Sequence, residues 1–310
     1  MAKSEEQTLF TFRYVLCYNI LGYECDRLHK ERLDVMKIFH PQGTLHGAER
    51  DNSYIVQDVA GVELGQGWLQ MSAGPVLVPD RSLRIRMYMD AHPAARDMLY
   101  GALYSRARYL GMQRGSTQAR LVAECAPEDI EMRGYYTKAG FNDTDGEELF
   151  HWDLKTEHRP FYAPVGTTIA PTFLQSFGDM DSLLKRVNHW GSQQHEVEWL
   201  MEASELPYFT VFGVYSNNDC IGEVMATGSD GEAALEMLYT LPKWRRHHVA
   251  TALMFHIKEV LAQRGATTLR ILAPRSNEPA IGLFKKLRFQ WSCTVKIYPT
   301  LDLEKDVTFR

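Results

Sequence analysis

The sequence predicts a mixed α/β (α+β) protein made of two tandem domains of one design. Each is a mixed, mainly antiparallel sheet flanked by helices. Three observations carry this reading. The chain has 310 residues, about twice the ~150 residues of a common domain. Its second half reads as three strands, a long helix, a strand, a short helix and a last strand, so antiparallel strands lead into a β-α-β crossover. The first half carries a similar tail at a nearly constant offset: Pro93 answers Pro242, Arg96 answers Arg245, Gly101 answers Ala250 and Phe141 answers Phe289. A repeat unit of this length is a duplicated domain and not a solenoid. The expected domains are 1–155 and 166–310, joined by a linker at Lys155–Val165 that contains Pro160 and Pro164.

The elements follow in order. Residues 1–40 are expected to be mostly helical. Leu83–Met89 reads as a strand that His92-Pro93 ends, Ala94–Leu110 as a helix that Gly111 and Gly115 stop, and Thr117–Cys125 as a strand. Pro127–Ala139 reads as a helix and Glu147–Leu154 as a strand. In the second half, Tyr208–Tyr215 is aromatic and β-branched, so it predicts a strand. Ser216–Asp219 is a turn, and Cys220–Ala226 is the return strand. Ala233–Thr240 is a further strand, ended by Pro242. Val249, Leu253, Met254, Ile257, Val260 and Leu261 recur at helical spacing, and Gly265 stops that helix. Thr267–Leu272 predicts a strand, Glu278–Lys286 a short helix and Ser292–Tyr298 the last strand.

Composition narrows the function. Hydrophobic residues are 45% and charged residues 24%, which excludes wholesale disorder. The net charge of −5 offers no basic footprint, so no nucleic-acid partner is expected. The start, Met1-Ala-Lys-Ser-Glu-Glu6, does not read as a signal peptide. No apolar run reaches the roughly 18 residues of a membrane span, so no membrane partner is expected. The five cysteines, Cys17, Cys25, Cys125, Cys220 and Cys293, show no paired spacing. They read as reduced thiols of a cytoplasmic protein, with no zinc site.

The chemistry concentrates in Leu238–Leu253. A strand ends at Pro242, a basic loop of Lys243–His248 follows, and a long helix begins. A helix N-terminus presents unpaired N–H groups and the positive end of the dipole, so it favours phosphate. Arg245 and Arg246 are unfavourable there unless an anion joins them. The small Ala250, Thr251 and Ala252 allow a ligand to approach the first turn.

Here the sequence resembles the GNAT superfamily of acyl-CoA-dependent N-acyltransferases. The family's pyrophosphate loop is Arg/Gln-x-x-Gly-x-Gly/Ala. Arg245-Arg-His-His248-Val-Ala250 matches it at Arg245 and Ala250, with His248 in place of the first glycine. A second family pattern, Asn-x-x-Ala-x-x-Leu-Tyr followed by Gly-Phe, resembles Asn277 to Phe289. Asn277, Ala280, Leu283 and Phe289 match, while Phe284 replaces the tyrosine and Arg288 the glycine. The first half is a degenerate copy. It keeps Arg96 and Gly101 but has Asp97 and Leu99 in the loop, and it retains Tyr136, Gly140 and Phe141 in the closing motif. The layout is similar to that of tandem family members such as mycothiol synthase.

The resemblance implies an N-acetyltransferase that moves the acetyl group of acetyl-CoA to a small-molecule amine by direct attack, without a metal. Arg245, Arg246, His247, His248, Val249, Ala250 and Thr251 would hold the pyrophosphate. The backbone of Leu238 and Thr240 would contact the acyl group and pantetheine, and Asn277 and Phe284 would complete the cofactor site. The family often places a glutamate at the position of Ala234. Glu236 lies two residues on, facing the same side of a strand, and is the candidate general base. Tyr136 would be the general acid if the first half were the active one. Tyr239 and Tyr298 are further acids, although strict alternation points Tyr239 away from Glu236. His189, His195, Glu196 and Glu198 form either an acceptor-binding cluster or a solvated helix face. The alternative function is a fold that binds CoA or another ligand without turnover. Acceptor, acyl length and oligomeric state stay open.

Overall fold

The computed structural model describes residues 36–73, 83–113, 119–156, 161–191 and 195–303. The helices expected up to residue 35 lie outside the described residues. Lys37–Phe39, within the stretch expected to be helical, is a strand.

The chain divides into two compact units. The described part of the first comprises 36–72, 83–113, 119–121 and 302–303. It holds β1 (Lys37–Phe39), β2 (Ser53–Gln57), β3 (Glu63–Ala73), β4 (Leu83–Ala91), helix α1 (Arg96–Gln113) and the start of β5 (Ala119–Ala123). β1, β2 and β3 pair antiparallel. Helix α1 packs on β2 and β4. Its Leu99, Leu103 and Ala107, one helical turn apart, are fully buried.

The second unit comprises 73, 122–156, 161–191 and 195–301 among the described residues. Its elements are α2 (Ile130–Lys138), β6 (Asn142–Asp153), β7 (Thr168–Pro171), α3 (Phe177–Trp190), α4 (Val197–Ser204), β8 (Thr210–Ser216), β9 (Asp219–Ser229), β10 (Glu232–Thr240), α5 (Val249–Gln263), β11 (Thr268–Pro274), α6 (Glu278–Lys286) and β12 (Gln290–Leu303). Their strands lie in the order β12-β6-β11-β10-β9-β8-β7. β10 and β11 are parallel, while β7, β8, β9 and β10 pair antiparallel in turn. One face buries Val249, Leu253, Ile257 and Leu261 of α5 and Phe284 of α6. The other buries Leu183, Leu184 and Val187 of α3 and Leu200 of α4.

The compact units do not divide at residue 155. β6 lies in the first half of the sequence, yet it pairs with β11 from Thr268↔Asp153 to Pro274↔Glu147. Its other edge pairs with β12. Phe150, Trp152 and Leu154 belong to the α5-side core. A strand buried on both edges goes where its ladder and its apolar face are both satisfied, and here that place is beside β11.

The two closing motifs share local geometry. Asp129 caps α2 through Met132 N at 2.9 Å, and Asn277 caps α6 through Ala280 N at 3.3 Å. Each helix then ends alike, with Phe141 N donating to Tyr136 O at 3.0 Å and Phe289 N to Phe284 O at 2.9 Å. The residues before these phenylalanines are left-handed, Gly140 at φ 90° and Arg288 at φ 63°. The arginine keeps the backbone of the glycine it replaces.

Candidate active site

β10 and β11 run side by side only from Glu232↔Thr268 to Leu235↔Ile271. Both strands continue, β10 to Thr240 and β11 to Pro274, without further pairing among the described residues. The two parallel strands thus splay, and β10 beyond Leu235 keeps its ladder with β9 but has no partner on β11. Backbone groups on that edge need partners, and an extended amide ligand can supply them.

The splay starts at a β-bulge. The β9–β10 register shifts between Leu235 and Met237, placing Glu236 in the bulge. The extra residue resets the alternation. Leu235 packs on the α5 side and Met237 on the α3 side. Thr227 pairs with Ala234, and its hydroxyl donates to Glu236 Oε1 at 2.6 Å. Glu236 therefore does share the face of Ala234, the face toward α3 and α4. Burial pushes its carboxyl pKa up, and the Thr227 hydrogen bond partly opposes that rise.

The bulge corrects the expectation for Tyr239. By strict alternation it points away from Glu236, but it packs with Met237 in the α3-side cluster. Its ring stacks on Trp190, with centroids 5.0 Å apart and planes at 13°. Burial and the nearby Glu223 push the phenol pKa up, so it stays protonated. Beside it lies a buried polar cluster that the sequence did not reveal. Glu223 is 1% exposed. It accepts from Arg186 Nε at 2.7 Å and Nη2 at 3.2 Å, and from Thr172 Oγ1 at 2.8 Å. A glutamate in an apolar strand is a signal for such a partner, but the arginine lies on another element.

Helix α3 ends against the bulge. At Gly191 a Cβ would fall 2.6 Å from Val187 O and 2.9 Å from Glu236 O, so only glycine fits this approach. Beyond it, Asn188 clamps the backbone of His195, with Nδ2 donating to His195 O and Oδ1 accepting from His195 N, both at 2.8 Å. The His195 ring stacks on Trp199. His189, Glu196 and Glu198 are exposed.

At the far end of β10 the chain turns through Pro242–Trp244 into the basic loop. Lys243, Arg245, Arg246, His247 and His248 are all exposed. Arg246 has φ 67° and His248 φ 64°, both left-handed. His248 is the N-cap of α5 and makes no side-chain capping hydrogen bond. The N–H groups of the first turn are left for another acceptor, and left-handed residues in a tight turn cup successive N–H groups around an anion. Val249 and Thr251 are buried under the loop, and Ala250 is half-buried. Thr240 Oγ1 and Trp244 Nε1, on either side of the turn, are buried without a hydrogen-bond partner. The structure thus places Arg245–Thr251 together at one helix end, with Leu238 and Thr240 on the splayed strand leading to it. These features fit a ligand that is anionic at one end and amide-like along its length.

Other candidates fall elsewhere. Asn277 is engaged in capping α6. Phe284 is 2% exposed, packed against Phe150 and Phe289, so its ring serves the core and reaches no cleft. Tyr136 is likewise 2% exposed and packs on Phe141. The first half forms no equivalent loop, because α1 begins at Arg96 itself, in right-handed geometry. Among the described residues no three His, Cys, Asp or Glu side chains are grouped to hold a metal.

The left-handed His248 carries a prediction. A residue with a Cβ in this region costs about 1 kcal/mol. His248→Gly is expected to raise the melting temperature and to tighten acetyl-CoA binding in calorimetry. A weaker affinity would instead make the imidazole itself a ligand contact.

Part of the chain is similar to known proteins. Residues 177–289 match the sequence model of the acetyltransferase (GNAT) family. No curated protein matches the chain in sequence. Among solved structures, Eis1 from Mycobacterium abscessus is 13% identical, covering 87% of this chain and 74% of its own, with a TM-score of 0.52. A GCN5-related N-acetyltransferase from Sphaerobacter thermophilus is 14% identical over 84% of each chain, with a TM-score of 0.48. A tandem GNAT protein of the clavulanic acid pathway is 16% identical, covering 82% and 83%, with a TM-score of 0.41. Splayed parallel strands, a bulge at the mouth of the splay and a basic loop opening a helix all fall within residues 177–289, the segment that matches the GNAT acetyltransferase family model.

Proposed function

We propose that this domain transfers an acetyl group from acetyl-CoA to a small-molecule amine. The observation that carries the reading is one run of chain: Glu236 at the bulge, the β10 edge that leaves β11 after Leu235, then the uncapped, basic N-terminus of α5. Acetyl-CoA supplies the activated acyl group. Arg245 and Arg246 neutralise its pyrophosphate, while the first-turn N–H groups of α5 donate to its oxygens. The backbone of Leu238 and Thr240 aligns the pantetheine arm. Glu236 takes the proton of the amine as the new C–N bond forms and the C–S bond breaks. Its location in a raised-pKa, half-buried bulge favours catalysis over an inert binding fold. We further propose a cytoplasmic setting, which the free thiols of Cys125, Cys220 and Cys293 support.

Titration calorimetry of acetyl-CoA into wild type and Arg245→Ala tests the proposal. Wild type is expected to bind at one site, and the variant to bind about 10- to 100-fold more weakly, the effect of one lost charge-assisted contact. Undiminished binding in the variant would move the site away from α5. No binding to wild type would end the acetyl-CoA reading.

A further inference from the structure

Thr156 and Phe161, both between β6 and β7, touch one face of α5. Lys258, 2% exposed, donates from Nζ to Thr156 O and Thr156 Oγ1, both at 2.8 Å. Its ammonium lies over the Trp152 ring at 4.6 Å. Nearer the helix N-terminus, Phe161 stacks on Phe255, with centroids 5.4 Å apart and planes at 25°. The same ring lies 6.1 Å from that of His248. Lys258, Phe255 and His248 are spaced by three and seven residues, so they share one stripe of the helix. Phe161 is thereby held near the start of α5 at 36% exposure, and the next residue, Tyr162, is 79% exposed.

Two exposed aromatic rings are costly to hold in water without a use. With the Phe161 ring next to His248, at the end of the basic loop, they suit one ligand chemistry, a planar base joined to a pyrophosphate. We propose that Phe161 and Tyr162 form the stacking platform for the adenine of the co-substrate. This rests on the acetyl-CoA reading given above. Stacking uses the π-face of the base and needs no hydrogen-bond readout. Phe255 backs the Phe161 ring, so the platform is ordered before the ligand arrives.

The test compares two donors by calorimetry: acetyl-CoA, and S-acetyl-4′-phosphopantetheine, which lacks the adenosine, its 3′-phosphate and one phosphate of the pyrophosphate. The double variant Phe161→Ala/Tyr162→Ala is expected to lose about tenfold or more in affinity for acetyl-CoA, with no change for the shorter donor and no change in melting temperature. Phe161→Trp, which keeps a π-face, is expected to retain wild-type affinity. Equal weakening of both donors would overturn the platform and make the segment a support for the loop. So would equal retention of both. A wild type that binds neither donor would overturn the acetyl-CoA reading itself, and the platform with it.

Discussion

Glu236→Gln is expected to lower kcat for acetyl transfer by about 10²–10⁴-fold, the usual contribution of a positioned general base. Acetyl-CoA affinity should stay near wild type, because the glutamine keeps the bulge and can still accept from Thr227. The pH profile gives a sharper check. Burial raises the carboxyl pKa of Glu236, and only the ionised form takes a proton. Activity is therefore expected to fall as pH drops through that raised value, and Glu236→Gln should abolish this acid limb. Thr227→Val removes the hydrogen bond that holds the pKa down, so it should move the limb to higher pH. A Glu236→Gln variant with wild-type kcat and an unchanged profile would remove Glu236 from the chemistry. The same shift links to stability. The folded state holds the proton more tightly than the unfolded chain, so Glu236 costs stability as pH rises from the unfolded pKa through the folded one.

Residues 166–310 expressed alone should not fold, although this segment contains the whole match to the family. β11 would lose its partner over the seven pairs from Thr268↔Asp153 to Pro274↔Glu147. The α5-side core would lose Phe150, Trp152 and Leu154, each 4% exposed. Removing a buried Phe or Trp costs about 3–5 kcal/mol, and a domain has only about 5–15 kcal/mol in total. Lys258 would also lose Thr156, its acceptor on the donated segment. The expected result is a fragment without a cooperative thermal transition by circular dichroism. A fragment spanning 122–303 restores the strand and should melt cooperatively. If 166–310 alone melts sharply and binds acetyl-CoA like the full chain, β6 is dispensable.

These two cases mark what the sequence makes legible. From β8 to α6 the elements are readable because each announces itself locally. β-branched and aromatic runs mark strands, apolar residues at helical spacing mark α5, and Asn277 and Glu278 open α6 at its observed start. The loop is readable from Arg245 and Ala250, and Glu236 from its place as a lone acid among apolar neighbours. Three things are not local. No residue type announces the bulge, so the face of Tyr239 follows only from the β9–β10 register. The left-handed backbone at His248 is imposed by the turn against the usual preference of a histidine. And nothing in Asn142–Asp153 names its neighbour, because a strand pattern specifies a buried face and not a partner. The Glu223–Arg186 pair escapes for the same reason, since it joins β9 to α3 across 37 positions of sequence.

The donated strand also sets a timetable for biosynthesis. β6 leaves the ribosome more than a hundred residues before β11. At ordinary elongation rates that gap lasts on the order of ten seconds. Throughout it, Phe150 and Trp152 have no core to enter and both edges of the strand are unpaired. The nascent chain is then a substrate for holding chaperones and a target for edge-to-edge association. Slowed elongation between Asp153 and Thr268 should therefore reduce soluble yield of the wild-type protein, without any change in the sequence that is made.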